Sequence, residues 1–142
     1  MLKVVVDANV LVSGLLGTGP ASLVLDAWSD RKFQMISSRD LLDELISVFQ
    51  RPKISKRISK SDAETLVSLL EKRAVLVEPT VNIRVCRDQE DDKILAAALA
   101  AHAHVIVTGD HDLLTLNPFR GIKILNPKSF LTILDPLLDS SS

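Results

Sequence analysis

Two short runs, Val4-Val5-Val6 and Val105-Ile106-Val107, carry apolar β-branched side chains at three consecutive positions. A strand with one wet face alternates apolar and polar residues. One that is apolar throughout must be covered on both faces, as in a parallel sheet between two layers of helices. Both runs end abruptly in polar residues, Asp7-Ala8-Asn9 after the first and Thr108-Gly109-Asp110-His111-Asp112 after the second. Ligands of parallel α/β sheets gather in the crevice outside the carboxyl ends of the strands. Carboxylates at both ends therefore mark where chemistry would be placed. The competing explanation for Asp7 is structural, since Asp is a favoured N-cap for a following turn or helix.

The chain between and beyond these runs alternates helical and extended patterns. After a loop at 17–20, with Pro20 suited to a first helical turn, residues 21–30 carry Leu23, Val24, Ala27 and Trp28 on one face. Residues 33–36 form a short strand. Ser37 or Ser38 offers an N-cap to a helix over 39–50 whose stripe is Leu41, Leu42, Leu45, Ile46, Val48 and Phe49. Arg51-Pro52 ends it. Ser61-Asp62-Ala63-Glu64 matches a capping box that opens a helix through residue 73. A strand at 75–78, a loop at 79–89 and an alanine-rich helix over 90–103 follow. The strand at 104–108 leads into a short helical turn, then a strand at 122–125 and a final helix from Asn126-Pro127 to residue 138. This alternation predicts βαβ crossovers and a three-layer α/β/α sandwich around a mainly parallel sheet of five strands. A single domain over 1–138 is expected, with a serine-rich tail at 139–142 that frays.

Composition excludes several classes. A net charge of −1 over 142 residues is not that of a bulk polycation, so nucleic-acid contact must come from a local patch or a divalent ion. Cys86 is the one cysteine, which rules out an intramolecular disulfide and reads as a small packing or surface residue. The apolar runs fall well short of the roughly 18 residues that a membrane span needs. No secretory signal precedes the first strand, so a cytoplasmic protein is expected.

The carboxylates form a pattern. If the two β-branched runs are neighbours about 4.8 Å apart, Asp7 and Asp110 crowd together. Unpaired carboxylates at that spacing repel until a proton or a hard divalent cation intervenes, and Mg²⁺ takes oxygen ligands from a few carboxylates. His102, His104 and His111 have no zinc-like spacing and read as surface or loop residues. Glu44 borders the apolar stripe of its helix and could point toward the sheet end, or simply be solvated. Asp88, Glu90, Asp91 and Asp92 crowd a helix start, where the macrodipole alone favours acid. Asp91 and Asp92 both flank the side carrying Ile94, Leu95 and Leu99, and periodicity does not choose between them. Residues 51–60 hold Arg51, Lys53, Lys56, Arg57 and Lys60 with no acid. That run suits either an RNA backbone or a solvated helical hairpin.

Four stretches taken together, Asp7-Ala8-Asn9-Val10, Glu44 in its leucine-rich helix, Asp91-Asp92-Lys93-Ile94-Leu95-Ala96 and Thr108-Gly109-Asp110-His111-Asp112-Leu113, resemble the PIN-domain nuclease family. The likeness is greatest to the VapC-type toxins of bacteria and archaea and their close relatives. The resemblance spans nearly the whole chain in the family's motif order. It implies a metal-dependent endoribonuclease using Mg²⁺ or Mn²⁺, with acids at Asp7, Glu44, Asp92 and Asp110. It further implies Asp112 as an additional acidic ligand and Asn9, Ser13 and Thr108 as supporting polar positions. A homodimer, an RNA substrate and a protein antitoxin follow from the same likeness. Its non-enzymatic counterpart is an RNA-binding or assembly module on the same fold. Two other families with a strand-end Asp fit less well. A haloacid dehalogenase-type phosphotransferase needs a second Asp where Asn9 stands, and a receiver domain needs a strand-end Lys.

Overall fold

The two β-branched runs lie side by side. In the computed structural model, which describes residues 1–17, 19–80 and 82–134, β1 (Lys3–Val6) pairs in parallel with β4 (Val105–Val107), Val4 opposite Val105 and Val6 opposite Val107. β2 (Gln34–Ser38) takes the other side of β1, and β3 (Val75–Val77) and β5 (Lys123–Leu125) form the edges. The order is β3-β2-β1-β4-β5 and all four pairings are parallel. Strand order reverses between β1 and β4, so the topological switch point lies at the ends of the two apolar runs.

Successive side chains of β1 enter different cores, as the two-residue period of a strand requires. Val4 and Val6 join one cluster with the helices α1 (Ala8–Leu15), α2 (Gly19–Ser29), α3 (Arg39–Phe49), α5 (Lys60–Arg73) and α8 (Pro127–Leu134). Val5 faces the other way, into a cluster with α6 (Gln89–Ala100) and α7 (His111–Leu114). Val4 and Val5 are fully buried, each worth about 1.5–3 kcal/mol over exposure. The three-layer α/β/α sandwich read from the sequence is thus the fold.

Local contacts fix how the layers meet. α1 and α2 cross at Gly14, where a Cβ would fall 2.5 Å from Leu25 Cδ1 and 3.0 Å from the Ala21 carbonyl oxygen. Phe130 of α8 is fully buried and meets Phe33 edge-on at 5.2 Å. Arg73 stacks over Trp28 at 4.8 Å while its Nη2 donates to the Trp28 carbonyl at 2.9 Å, tying the end of α5 to α2.

Several boundaries differ from the sequence reading. The segment after Asp7 is a two-turn helix, α1, and Pro52 opens a further short helix, α4 (Pro52–Ser55). The cap of α5 is Ser59, not Ser61: Ser59 Oγ accepts from the Asp62 amide at 3.0 Å, while the Ser61 carbonyl accepts from the Thr65 hydroxyl. Thr18, Val81 and residues 135–142 lie outside the described residues. The last turn expected for the final helix, with Leu137 and Leu138, and the tail at 139–142 fall there. No single helix among the described residues is long and apolar enough to cross a membrane.

Candidate active site

Asp7 is both a cap and a member of a carboxylate cluster, so the two readings of it are compatible. Its backbone amide still donates to Val107 across the sheet, at 2.9 Å. Its side chain caps α1, Oδ1 accepting from the Asn9 amide at 3.3 Å. Its other oxygen, Oδ2, accepts from the Thr108 hydroxyl at 2.7 Å, and Thr108 Oγ1 in turn accepts from the Asp110 amide at 3.0 Å. One fully buried hydroxyl therefore links the ends of β1 and β4. Sheet register dictates this: Val6 opposes Val107, so the next residues, Asp7 and Thr108, leave the sheet as neighbours.

Asp110 repeats the arrangement. Its Oδ1 accepts from the Asp112 amide at 2.9 Å and caps α7. Asp88 does the same at the start of α6, accepting from the Glu90 amide at 2.9 Å. Three helix N-termini thus converge on one acidic crevice. Their partial positive ends offset part of the repulsion there.

The third converging carboxyl belongs to Asp91, 7% exposed. Burial, a hydrogen-bonding contact with Asp110, and the charges of Asp110, Asp88 and Asp7 push its pKa up to about 7. A carboxyl so raised still carries much of its proton near neutrality. Asp7 is also raised, by burial against the opposing pull of Thr108 and the Asn9 amide, with Asp110 adding to the rise.

Asp92, expected as the third acid, is engaged elsewhere. Its carboxylate is directed at the 79–88 loop, Oδ1 accepting from the Val85 amide at 3.0 Å and the Cys86 amide at 2.9 Å. Burial alone would raise its pKa, but the Cys86 and Val85 amides outweigh burial and hold it below the usual carboxylate value. Asp92 therefore pins a loop whose amides would otherwise be unpaired. Burial along each stripe, rather than spacing, separates the two acids. Asp91 stands on the stripe of Ile94, Leu95 and Ala98, all buried, whereas Asp92 lines up with the half-buried Ala96 and Leu99.

Asp112, expected as a further ligand, is engaged by Arg87, whose Nη2 donates to both of its oxygens at 2.8 and 3.0 Å. Glu44 stands at the edge of the crevice. Burial first, then the charges of Glu90 and Asp7, push its pKa up to about 7. Asp43, its neighbour, is exposed and paired to Arg39 at 2.8 Å, so Glu44 is the one that shares the field of the cluster. Asn9 and Ser13 lie one turn apart on the exposed face of α1 that starts at Asp7. Cys86 is half-buried and its thiol is pushed up to about 12 by burial and by Asp92, as suits an inert residue. Arg87 went unremarked in the sequence, because it sits in no periodic element.

The donor chemistry of Asp7, Asp91 and Asp110 fits a hard divalent cation: oxygen only, with negative charge in excess. The carboxyls are not drawn into a finished shell. Among the described residues no three His, Cys, Asp or Glu side chains are gathered closely enough to form one.

The basic residues divide. Arg51 lines a groove with Glu44, Glu90 and Lys93 beside the crevice. Lys53, Lys56 and Arg57 are exposed on α4 and the turn after it. Lys60, 3.9 Å from Glu64, is almost fully solvated.

Residues 3–112, which include every acid discussed above, match the PIN domain family. The chain is 30% identical over 140 residues to the uncharacterized protein MJ1680 of Methanocaldococcus jannaschii, covering 92% of this chain and 90% of that protein. The crystal structure of FitAcB from Neisseria gonorrhoeae has a similar fold. The TM-score is 0.51 at 17% identity, over 88% of this chain and 98% of that one.

Proposed function

This chain belongs to the PIN-domain family, and from that premise we propose that it is a metal-dependent endoribonuclease, the toxin component of a toxin-antitoxin pair. The observation that carries the reading is the meeting of Asp7, Asp91 and Asp110 at the switch point of a parallel sheet, with two of the three raised in pKa by burial and by one another. Mg²⁺ or Mn²⁺ held by these three would supply an activated water and a counter-charge to the scissile phosphate.

The chain's own residues do the rest. Thr108 fixes the rotamer of Asp7 by its 2.7 Å hydrogen bond and favours its ionised form. Glu44, near pKa 7 at the edge of the crevice, is tuned to orient a water and accept its proton at neutral pH. Asp91, raised to about 7, would have to give up its proton to hold a cation, so loading would be favoured above neutrality. In this reading the protein acts in the cytoplasm as a homodimer, restrained by an antitoxin that covers the acidic crevice.

The test is cleavage of a labelled single-stranded RNA with Mg²⁺, with Mn²⁺ and with a chelator, by the parent chain and by Asp7→Asn. Metal-dependent cleavage by the parent alone is expected. Binding without cleavage under every metal condition would leave an RNA-binding module in its place. Light scattering tests the homodimer, which a monomer at high protein concentration would exclude.

A further inference from the structure

Beside the acidic crevice lies a second, polar groove of about 640 Å³, walled by the 79–88 loop, the start of α3 and the first turns of α6. Three cations, Arg84, Arg87 and Lys93, line it together with Ser38, Asn82 and the carboxylate of Asp40. Asp92 lines it too, but its Oδ1 is already occupied by the Val85 and Cys86 amides. Those two bonds fasten the loop segment that carries Arg84 and Arg87, so both arginines project from a held backbone.

The cations differ in what engages them. Lys93 is taken by Glu90 at 3.0 Å. Arg84 is exposed, and no acid among the described residues pairs with it. Arg87 is 87% exposed at its side chain and bridges to Asp112, itself 40% exposed. A solvent-exposed pair is weakly held, and a phosphate offers the same planar guanidinium equally good oxygens. Arg87 also lies within the field of Asp110, so the groove runs up to the carboxylate cluster.

We propose that this groove receives the single-stranded RNA beside the cleavage site, with Arg84 and Arg87 binding its phosphates, in place of the basic run at 51–60. The inference rests on the nuclease reading for its choice of RNA, yet it makes a separate claim. The groove positions a strand by its backbone, so it contributes register and affinity and carries no base preference.

The experiment measures fluorescence anisotropy of a labelled single-stranded RNA oligonucleotide with the full chain in chelator, across a salt series. Arg84→Ala/Arg87→Ala should weaken binding and reduce the log–log salt slope by about 1.4, at about 0.7 for each lost phosphate contact. Arg84→Lys/Arg87→Lys should keep most of the slope, and Lys53→Ala/Lys56→Ala/Arg57→Ala should leave it near the parent value. Thermal melts of each variant separate lost contacts from lost fold. An unchanged slope in the double Ala variant, or a parent chain that fails to bind, overturns the proposal. Cleavage by the parent together with an unchanged slope would sink the groove and spare the nuclease. The predicted slope change in a chain that never cleaves would do the reverse.

Discussion

Asp91 and Asp92 are adjacent, both buried, and differ in what their carboxyls meet, so neutralising each should move stability in opposite directions. Asp91 is raised from 3.8 to about 7. A rise of about three pKa units corresponds to ~4 kcal/mol at 1.36 kcal/mol each. Part of that rise comes from the contact with Asp110 and from neighbouring charges rather than from burial, so a penalty on the order of 2 kcal/mol is expected for the metal-free fold. The sign follows from linkage. Between about pH 4 and pH 7 the folded state holds more protons than the unfolded chain, so this contribution to stability falls as pH rises and is fully lost above 7. Asp91→Asn removes the penalty. At pH 8 without metal it should melt about 4–8 °C above the parent, at roughly 2–4 °C per kcal/mol for a chain of this size. That gain should vanish toward pH 4. Asp92→Asn replaces an ionised acceptor of two backbone amides, at 2.9 and 3.0 Å, by a neutral one. It should cost about 1–3 kcal/mol at pH 8, because charge-assisted bonds are about twice as strong as neutral ones. In cleavage assays Asp91→Asn should be silent and Asp92→Asn should retain turnover. Differential scanning calorimetry at several pH values, paired with cleavage, decides the matter. Shifts of the same sign in both variants, or a silent Asp92→Asn beside an active Asp91→Asn, would refute the assignment.

Three further outcomes follow from the same geometry. Millimolar Mg²⁺ or Mn²⁺ should raise the melting temperature of the parent at pH 8, by an amount equivalent to about 2.7 kcal/mol at a hundredfold excess over Kd; an unchanged melt would remove the metal site. Thr108→Val leaves Asp7 Oδ2 and the Asp110 amide without the hydroxyl, so it should cost about 1–3 kcal/mol. Because that hydroxyl favours ionised Asp7, the acid limb of a pH–rate profile should move upward, and a limb that stays put would separate Asp7 from the titration. Gly14→Ala drives a methyl to 2.5 Å from Leu25 Cδ1 and 3.0 Å from the Ala21 oxygen; despite better helix propensity it should lose about 1–2 kcal/mol in urea unfolding.

Much of this molecule could be read from its sequence because the relevant forces are local. A run such as Val4-Val5-Val6 can be satisfied only between two apolar layers, and such strands alternating with amphipathic helices leave few topologies. The meeting of Asp7 and Asp110 was legible for the same reason, each being the first acid after a fully covered strand. Helix caps were legible in kind, though their position could slip, as with Ser59 for Ser61, because two serines two residues apart can each open the same helix. What tertiary structure decided was direction. Adjacent residues on a helix differ by about 100° about its axis, and Asp91 and Asp92 both border the apolar stripe of α6. Only the docking of that helix on β1, β2 and β4 turns Asp91 toward Asp110, and only the path of the 79–88 loop presents two amides to Asp92. Arg87 on Asp112, 25 positions away, depends on that same path. Such pairings are set by where distant segments come to rest, and no period along the chain encodes that.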